Sequence, residues 1–487
     1  MNKKGNLFFL IKSLNQSEKR YFKLFCSTIN VESNYIKLFE AIDKQEVYDE
    51  KKLRQIFSSE VFTRQLHVTK IYLSQLILKS LRNYHHKISK TAELADLTRD
   101  IEILFSKELF DQCYFTIEKA QKLAISYEKF ALLTEILNWK RKLYLARFGA
   151  NAARLQEIDD LAADGLRKLQ SIQQYWSMTT NLSQFNRPDT EAKKFHESSI
   201  LKTAGEPLAL RSKILFYHLL YGQGVMGSNN QLAEESLENL IAVIEAHPHH
   251  IKDDPGPYLN SLNNKVTFLI LHHRYDEVIP IIEKIRAVPD EFGIKKANKL
   301  RLRTLLRTYN IELELYRDQK DLSKGKALMV TIRSFLEKYE KSVPDNYFIL
   351  FWNQFANIEF MAKDYAAALV WVNRIMQIKS DARLDIQRYA RLLQLIIHFE
   401  LGNVIFLRYS IDSYRRFLRK KTGISPFEKL CLRHFAKLSH VAPGDYPVYL
   451  QKFYHDLFEK DKTLITPGIL DYLDIKSWLE HKVHQHE

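Results

Sequence analysis

Residues 351–371 read FWNQFANIEFMAKDYAAALVW, and this stretch decides the fold. Its first half places Phe351, Phe355 and the small Ala356 at helical spacing, and its second half does the same with Tyr365, Ala368 and Trp371. The polar pair Lys363-Asp364 stands between them. Two helices joined by a short link satisfy that pattern; a strand pair does not, because nothing alternates with period two.

The helical period persists outward in both directions, and no stretch shows strand alternation bounded by hairpin residues. With only 14 Gly and 12 Pro in 487 residues, breakers are too sparse for a loop-rich or disordered chain, and they fall between periodic segments. The fold class expected is therefore all-α, with helices of about 12 to 20 residues. In residues 1–90 the segments are Leu7 to Leu14, Ser17 to Thr28, Asn34 to Lys44, Asp49 to Phe57 and a long one from Thr63 to His86. Ser17 is taken as a helix cap.

Registering Tyr275, Leu322 and Val404 with Tyr365 sets Val278, Gly325 and Leu407 equivalent to Ala368, and Ser236, four residues after Leu232, is taken as the equivalent one copy earlier, at spacings of 42, 47, 43 and 39 residues. An earlier copy runs from Ile101 through Phe110 and Cys113 to Ala120. In its leading Trp352 and Phe355, small Ala356, Tyr365 and Ala368, the 351–371 copy resembles a tetratricopeptide repeat. It departs at Glu359, Ile375 and Ser380, where that family has Tyr, Ala and Pro, and the spacings exceed the family's ~34 residues. The resemblance implies a solenoid: a basic N-terminal helical unit over 1–90, repeats over 91–437 and capping helices over 438–487.

In such a solenoid the first helix of each pair lines a concave surface suited to peptides or partner helices. Fifteen residues before the reference, three successive copies carry Asn263, Asn310 and Asn353, with Asn357 one turn further on. An asparagine offers both amide donors and a carbonyl acceptor, so a row of them can pair with the backbone of an extended peptide whatever its side chains. The resemblance implies that these positions face a ligand; the alternative is that the amides meet only water or loop carbonyls. Lys296, Lys299, Arg303 and Arg307 make a basic stripe on the helix carrying Asn310, fit for an acidic partner or a phosphate, or simply a solvated face.

The net charge of +15 is clustered. Residues 1–90 carry 17 Lys or Arg against 8 acids, 295–307 carry 6 against none, and 374–437 carry 14 against 5, which leaves the remainder of the chain acidic. Those zones suit an acidic protein surface or nucleic acid, or else they are neutralised by counter-ions alone. Regulators with tetratricopeptide repeats can carry a helix-turn-helix first, and Thr63, Arg64 and Gln65 would then begin a recognition helix.

Catalytic signals are absent from this reading. The fingerprint Gly222-Gln223-Gly224-Val225-Met226-Gly227 matches a dinucleotide loop by letter but sits among helices, without the strand its mechanism needs. The histidines, including His247, His249, His250 and His481, lack zinc-protease spacing. No P-loop or nucleophile elbow occurs, so no cofactor and no enzyme activity are expected. Three cysteines, Cys26, Cys113 and Cys431, are too few and too scattered for a disulfide framework, which suggests a reducing, cytoplasmic setting. The apolar run from Leu7 to Ile11 is short for a signal peptide, and no stretch approaches a membrane span. The expectation is a non-enzymatic scaffold for a peptide or protein partner, with no membrane association; the alternative is a nucleic-acid-binding regulator using residues 1–90.

Overall fold

One helix-to-helix turn recurs seven times among the described residues. A helix ends, two residues later a residue takes positive φ, and two residues after that the next helix begins, after His273 with the 3-10 turn Tyr275–Glu277 that leads into the following helix. The positive-φ residues are Glu108, Glu128, Ser228, His273, Lys320, Lys363 and Gly402. In every case the amide following that residue donates back to the carbonyl five positions earlier, as Asp364 does to Glu359 (3.0 Å) and Asn229 to Gly224 (2.8 Å). This is a Schellman closure, which satisfies carbonyls that a helix end would otherwise leave unpaired. Six of the seven are not glycine and accept about 1–2 kcal/mol of left-handed strain for it.

The computed structural model describes residues 6–29, 33–149, 152–184, 205–294, 297–378, 380–460 and 473–484. Among these there are helices and no strand. In chain order they are α1 Asn6–Ser13, α2 Gln16–Thr28, α3 Ser33–Lys44, α4 Glu50–Ile56, α5 Leu66–Tyr84, α6 Lys90–Ser106, α7 Phe110–Ser126 and α8 Phe130–Phe148. There follow α9 Ala152–Gln184, α10 Leu210–Met226, α11 Asn230–Glu245, α12 Pro248–Asp253, α13 Gly256–Leu271, α14 Val278–Glu291, α15 Ala297–Asp318 and α16 Leu322–Lys338. The last are α17 Asp345–Met361, α18 Tyr365–Gln377, α19 Leu384–Glu400, α20 Val404–Lys421, α21 Pro426–Leu438, α22 Tyr446–Tyr454 and α23 Ile475–His484.

The chain divides into two compact units, Met1–Tyr258 and Leu259–Glu487. In the first, α1, α2 and α3 pack on α5 around Phe22, Cys26, Leu38, Phe39, Leu73 and Ile77. The cap of α2 is Asn15, not Ser17: its side chain accepts from Glu18 N and the Glu18 carboxylate accepts from Asn15 N, each at 2.9 Å, a reciprocal capping box. Further along, α6 to α11 pack in chain order, with Ile101, Cys113, Ile136 and Tyr175 in their core.

The turn at Ser228 also corrects the register of α10 and α11. Counting from the positive-φ residue puts Ala233, rather than Ser236, in the place that Ala368 holds after Lys363. The physical reason lies in Gly224, where a Cβ would approach the Ala233 backbone nitrogen at 2.6 Å. The helices meet there backbone to backbone, so Gly222 and Gly224 of the dinucleotide-like run lie on α10 and Gly227 caps its end.

In the second unit the helices from α14 to α23 each pack on their neighbour in sequence, and α15, α17 and α19 also pack on one another in that order. Ala356 and Ala368 are both fully buried, and Phe355 meets Trp371 edge-on at 5.0 Å. Each such buried aromatic or aliphatic side chain stabilises the fold by roughly 1.5–3 kcal/mol. At the C-terminal end, Trp478 and Lys482 on α23 bond Glu400 at the end of α19 at 2.6 and 2.8 Å.

Candidate functional site

At about 100° per residue, the spacings along α15 bring Lys299, Arg303, Arg307, Asn310, Glu314 and Arg317 onto one face some 27 Å long. Lys299, Arg303 and Arg307 are exposed and make no ion pair among the described residues, whereas Arg301, on another side, pairs with Asp290. Lys296, the first member of the expected stripe, lies outside the described residues.

The C-terminal half of that face is half-buried against α17 and forms a hydrogen-bonded cluster. Asn310 Nδ2 and Gln354 Nε2 both donate to Glu314 Oε1 at 3.0 Å, and Arg317 Nη1 donates to Gln354 Oε1 at 3.0 Å. Burial pushes the Glu314 carboxyl above its ordinary range, opposed by the Asn310 bond and by the Arg317 and Arg383 charges. Arg383 sits at the start of α19, so the electrostatic environment of this one carboxylate is drawn from α15, α17 and the approach to α19.

The asparagines are buried rather than laid open. Asn263, Asn353 and Asn357 retain 5%, 2% and 8% of their exposure, and Asn310 is half-buried. Asn263 Nδ2 donates to Leu259 O (2.5 Å) and Asn357 Nδ2 to Asn353 O (2.8 Å), local bonds of the kind that compete with ligand contacts. Yet the side-chain oxygens of Asn263, Asn310 and Asn353 have no hydrogen-bond donor among the described residues. For Asn263 the orientation is fixed, because its Nδ2 group points at a backbone carbonyl, which only accepts. The three residues equated by apolar register thus share one unusual feature, an unpaired buried acceptor. Leaving such a group unmet costs about 1–3 kcal/mol, and because these oxygens are buried a partner N–H reaches one only where the packing over it opens. α15 packs on α17, so Asn310 joins Gln354 in one cluster; no hydrogen bond among the described residues connects Asn263 to it.

Gln354 and Glu314 were not singled out in the sequence. Gln354 follows an asparagine inside an aromatic run, and Glu314 occupies the position that Asn357 holds in the next copy. That a polar side chain recurs there was the available signal.

Other sites carry less chemistry. A cavity of about 400 Å³ in the first unit is floored by Phe130, Ile172, Leu210 and Ile214, but its carboxylates are engaged. Glu128 accepts from the Leu210 and Arg211 amides at 2.7 and 3.0 Å, and Asp253 accepts from Lys90 N at 2.8 Å and pairs with Lys129. His247, His249 and His250 gather beside Tyr127, where burial holds His250 below the usual histidine range. Among the described residues no group of three or more ligating side chains could hold a metal, the three cysteines are free and buried, and no helix is long and apolar enough to cross a membrane.

Thr63, Arg64 and Gln65 belong to a 3-10 turn ahead of α5, and Thr63 Oγ1 is bonded to Phe57 O at 2.5 Å. α5 itself begins at Leu66. No known family profile, curated protein or solved structure matches the chain. The class of protein is thus given by its architecture, an all-helical chain in which neighbouring helices are joined by a recurrent turn.

Proposed function

We propose that the protein is a non-enzymatic scaffold whose second unit is a tetratricopeptide-like solenoid holding an extended, acidic segment of a partner along the first helices α15 and α17. The observation that carries this reading is the exposed cationic stripe of Lys299, Arg303 and Arg307, which forms no ion pair among the described residues, on the face of α15 that continues into the Asn310–Gln354 cluster. The buried Asn310 and Asn353 oxygens lie beneath that face and would take a backbone N–H of the partner only once the packing over them opens. Selectivity then falls to Lys299, Arg303 and Arg307, whose exposed charges favour carboxylates on the bound segment. The recurrent turn supports the solenoid, since one closure repeated at each pair lets successive pairs stack alike. A cytoplasmic location accords with three buried free thiols.

The second reading, nucleic acid bound through residues 1–90, draws on the cationic excess there. It requires polar groups to be presented to base edges or phosphates, whereas the middle of the outer stripe of α5 carries Val68, Ile71, Tyr72 and Leu78.

Affinity purification from native lysate, with and without nuclease, separates the two. A discrete protein should survive nuclease and be lost, or reduced at least tenfold, with Asn310→Ala/Asn353→Ala in a chain of unchanged helicity. Equal recovery by that double variant would make the asparagines purely structural, and recovery of nucleic acid that disappears on deleting 1–90 would favour the second reading.

A further inference from the structure

α5 is apolar on two faces. One, with Leu66, Leu73, Leu76 and Ile77, is buried in the N-terminal bundle. The other carries Val68, Ile71, Tyr72 and Leu78, which remain 59%, 47%, 48% and 44% exposed. Their spacings of three, one and six residues keep them on one stripe, with Gln75 between them, and Lys79 and Arg82 continue it to the helix end. A helix that is apolar around most of its circumference is normally covered on all sides, and a contiguous exposed stripe marks an interaction surface. Tyr72 rests on Tyr35 of α3, ring centroids 4.9 Å apart, which holds it as a fixed anchor beside the stripe.

Charge decides what covers it. Within the bundle, Glu18, Glu40, Asp43, Glu50 and Glu60 are already paired with His85, Lys23, Lys19, Lys70 and Lys37. Arg64, Lys79, Arg82 and Lys87, around the two ends of the stripe, form no ion pair among the described residues. A second copy of the same face would set like charges against each other. A nucleic acid would find few hydrogen-bonding groups between the terminal cations.

We infer that the outer stripe of α5 is the seat for an acidic amphipathic helix of a partner protein, its apolar residues laid on Ile71, Tyr72 and Leu78 and its carboxylates meeting Arg64, Lys79 and Arg82. Recognition is of the helix-on-helix kind, read by anchors every three to four residues over about 20 Å. The surface is separate from the asparagine positions and does not depend on their role.

The test uses the full chain and two fluorescent peptides of identical Leu, Ala and Glu composition, one with Leu at alternating three- and four-residue spacing and one scrambled. The patterned peptide should bind at least tenfold tighter than the scrambled one by anisotropy. Ile71→Asp/Leu78→Asp should abolish that preference while circular dichroism and melting temperature stay unchanged, and the milder Tyr72→Ala should reduce it. Equal affinity for both peptides, undiminished binding by the folded variants, tighter binding of a duplex DNA of equal charge, or dimerisation in sedimentation that the same substitutions abolish would each overturn the inference.

Discussion

The outer face of α5 and the packed faces of α15 and α17 depart from ordinary folding economy in opposite senses. α5 exposes apolar side chains where water should favour polar ones, and α15 and α17 bury amides where a core should favour Leu or Ile. Neither departure is needed for the helices to form, since α5 already has a buried face in Leu73 and Ile77, and α17 already has Phe351, Phe355 and Ile358. Residues that serve the fold satisfy local rules, and residues kept against those rules are where function is to be sought.

The sharpest break of that comparison lies on α5 itself. Leu73→Ala, on the face with no exposure, should destabilise the chain by about 2–5 kcal/mol. Ile71→Ala, two residues away, should stay within about 0.5 kcal/mol by urea unfolding. Comparable losses would mean that the outer stripe is packed in solution and is no docking surface.

On α17 the expected sign reverses. Asn353→Leu removes an acceptor that has no donor and should raise stability by about 1 kcal/mol while weakening partner capture. A loss of similar size would identify the amide as an internal structural element.

A smaller effect tests the electrostatics of the cluster. The folded-state pKa of Glu314 lies above its unfolded value, so the folded chain holds the proton more tightly and stability falls as pH rises through that interval. Glu314→Gln keeps an acceptor for Asn310 and Gln354 but no longer titrates. Its advantage over the parent should be present at neutral pH and shrink as pH falls to the ordinary glutamate range, in paired melts at pH 4 and 7. An advantage that grows on acidification would contradict the assigned direction.

Much of the helix order was legible. The segments read over residues 1–90 fall within a few residues of α1 to α5, because each carries an apolar stripe ended by polar punctuation. The cap of α2 was missed by two positions: the reciprocal signal was Asn15 with Glu18, and Ser17 drew the reading away from it. The recurrent turn was nearly invisible, since only Gly402 among its seven left-handed residues is a glycine; its trace is a polar residue before Asn or Asp, as in Ser228-Asn229, Lys320-Asp321 and Lys363-Asp364. The Ser236 register slipped for the same reason. Period alone aligned Asn263, Asn310 and Asn353, but that their side chains are buried, and that Gln354 reaches Glu314 from the next helix, are tertiary facts that no spacing contains.

The proposed partner segment lies along the first helices of the second unit. Site-specific photocrosslinking tests it most directly, with a photoreactive residue in place of exposed Arg303 on α15 or exposed Val370 on α18. A partner adduct is expected from position 303 and none from 370, with the 303 adduct lost on Asn310→Ala/Asn353→Ala. An adduct from 370 alone, or one from 303 that persists in the double variant, would contradict it.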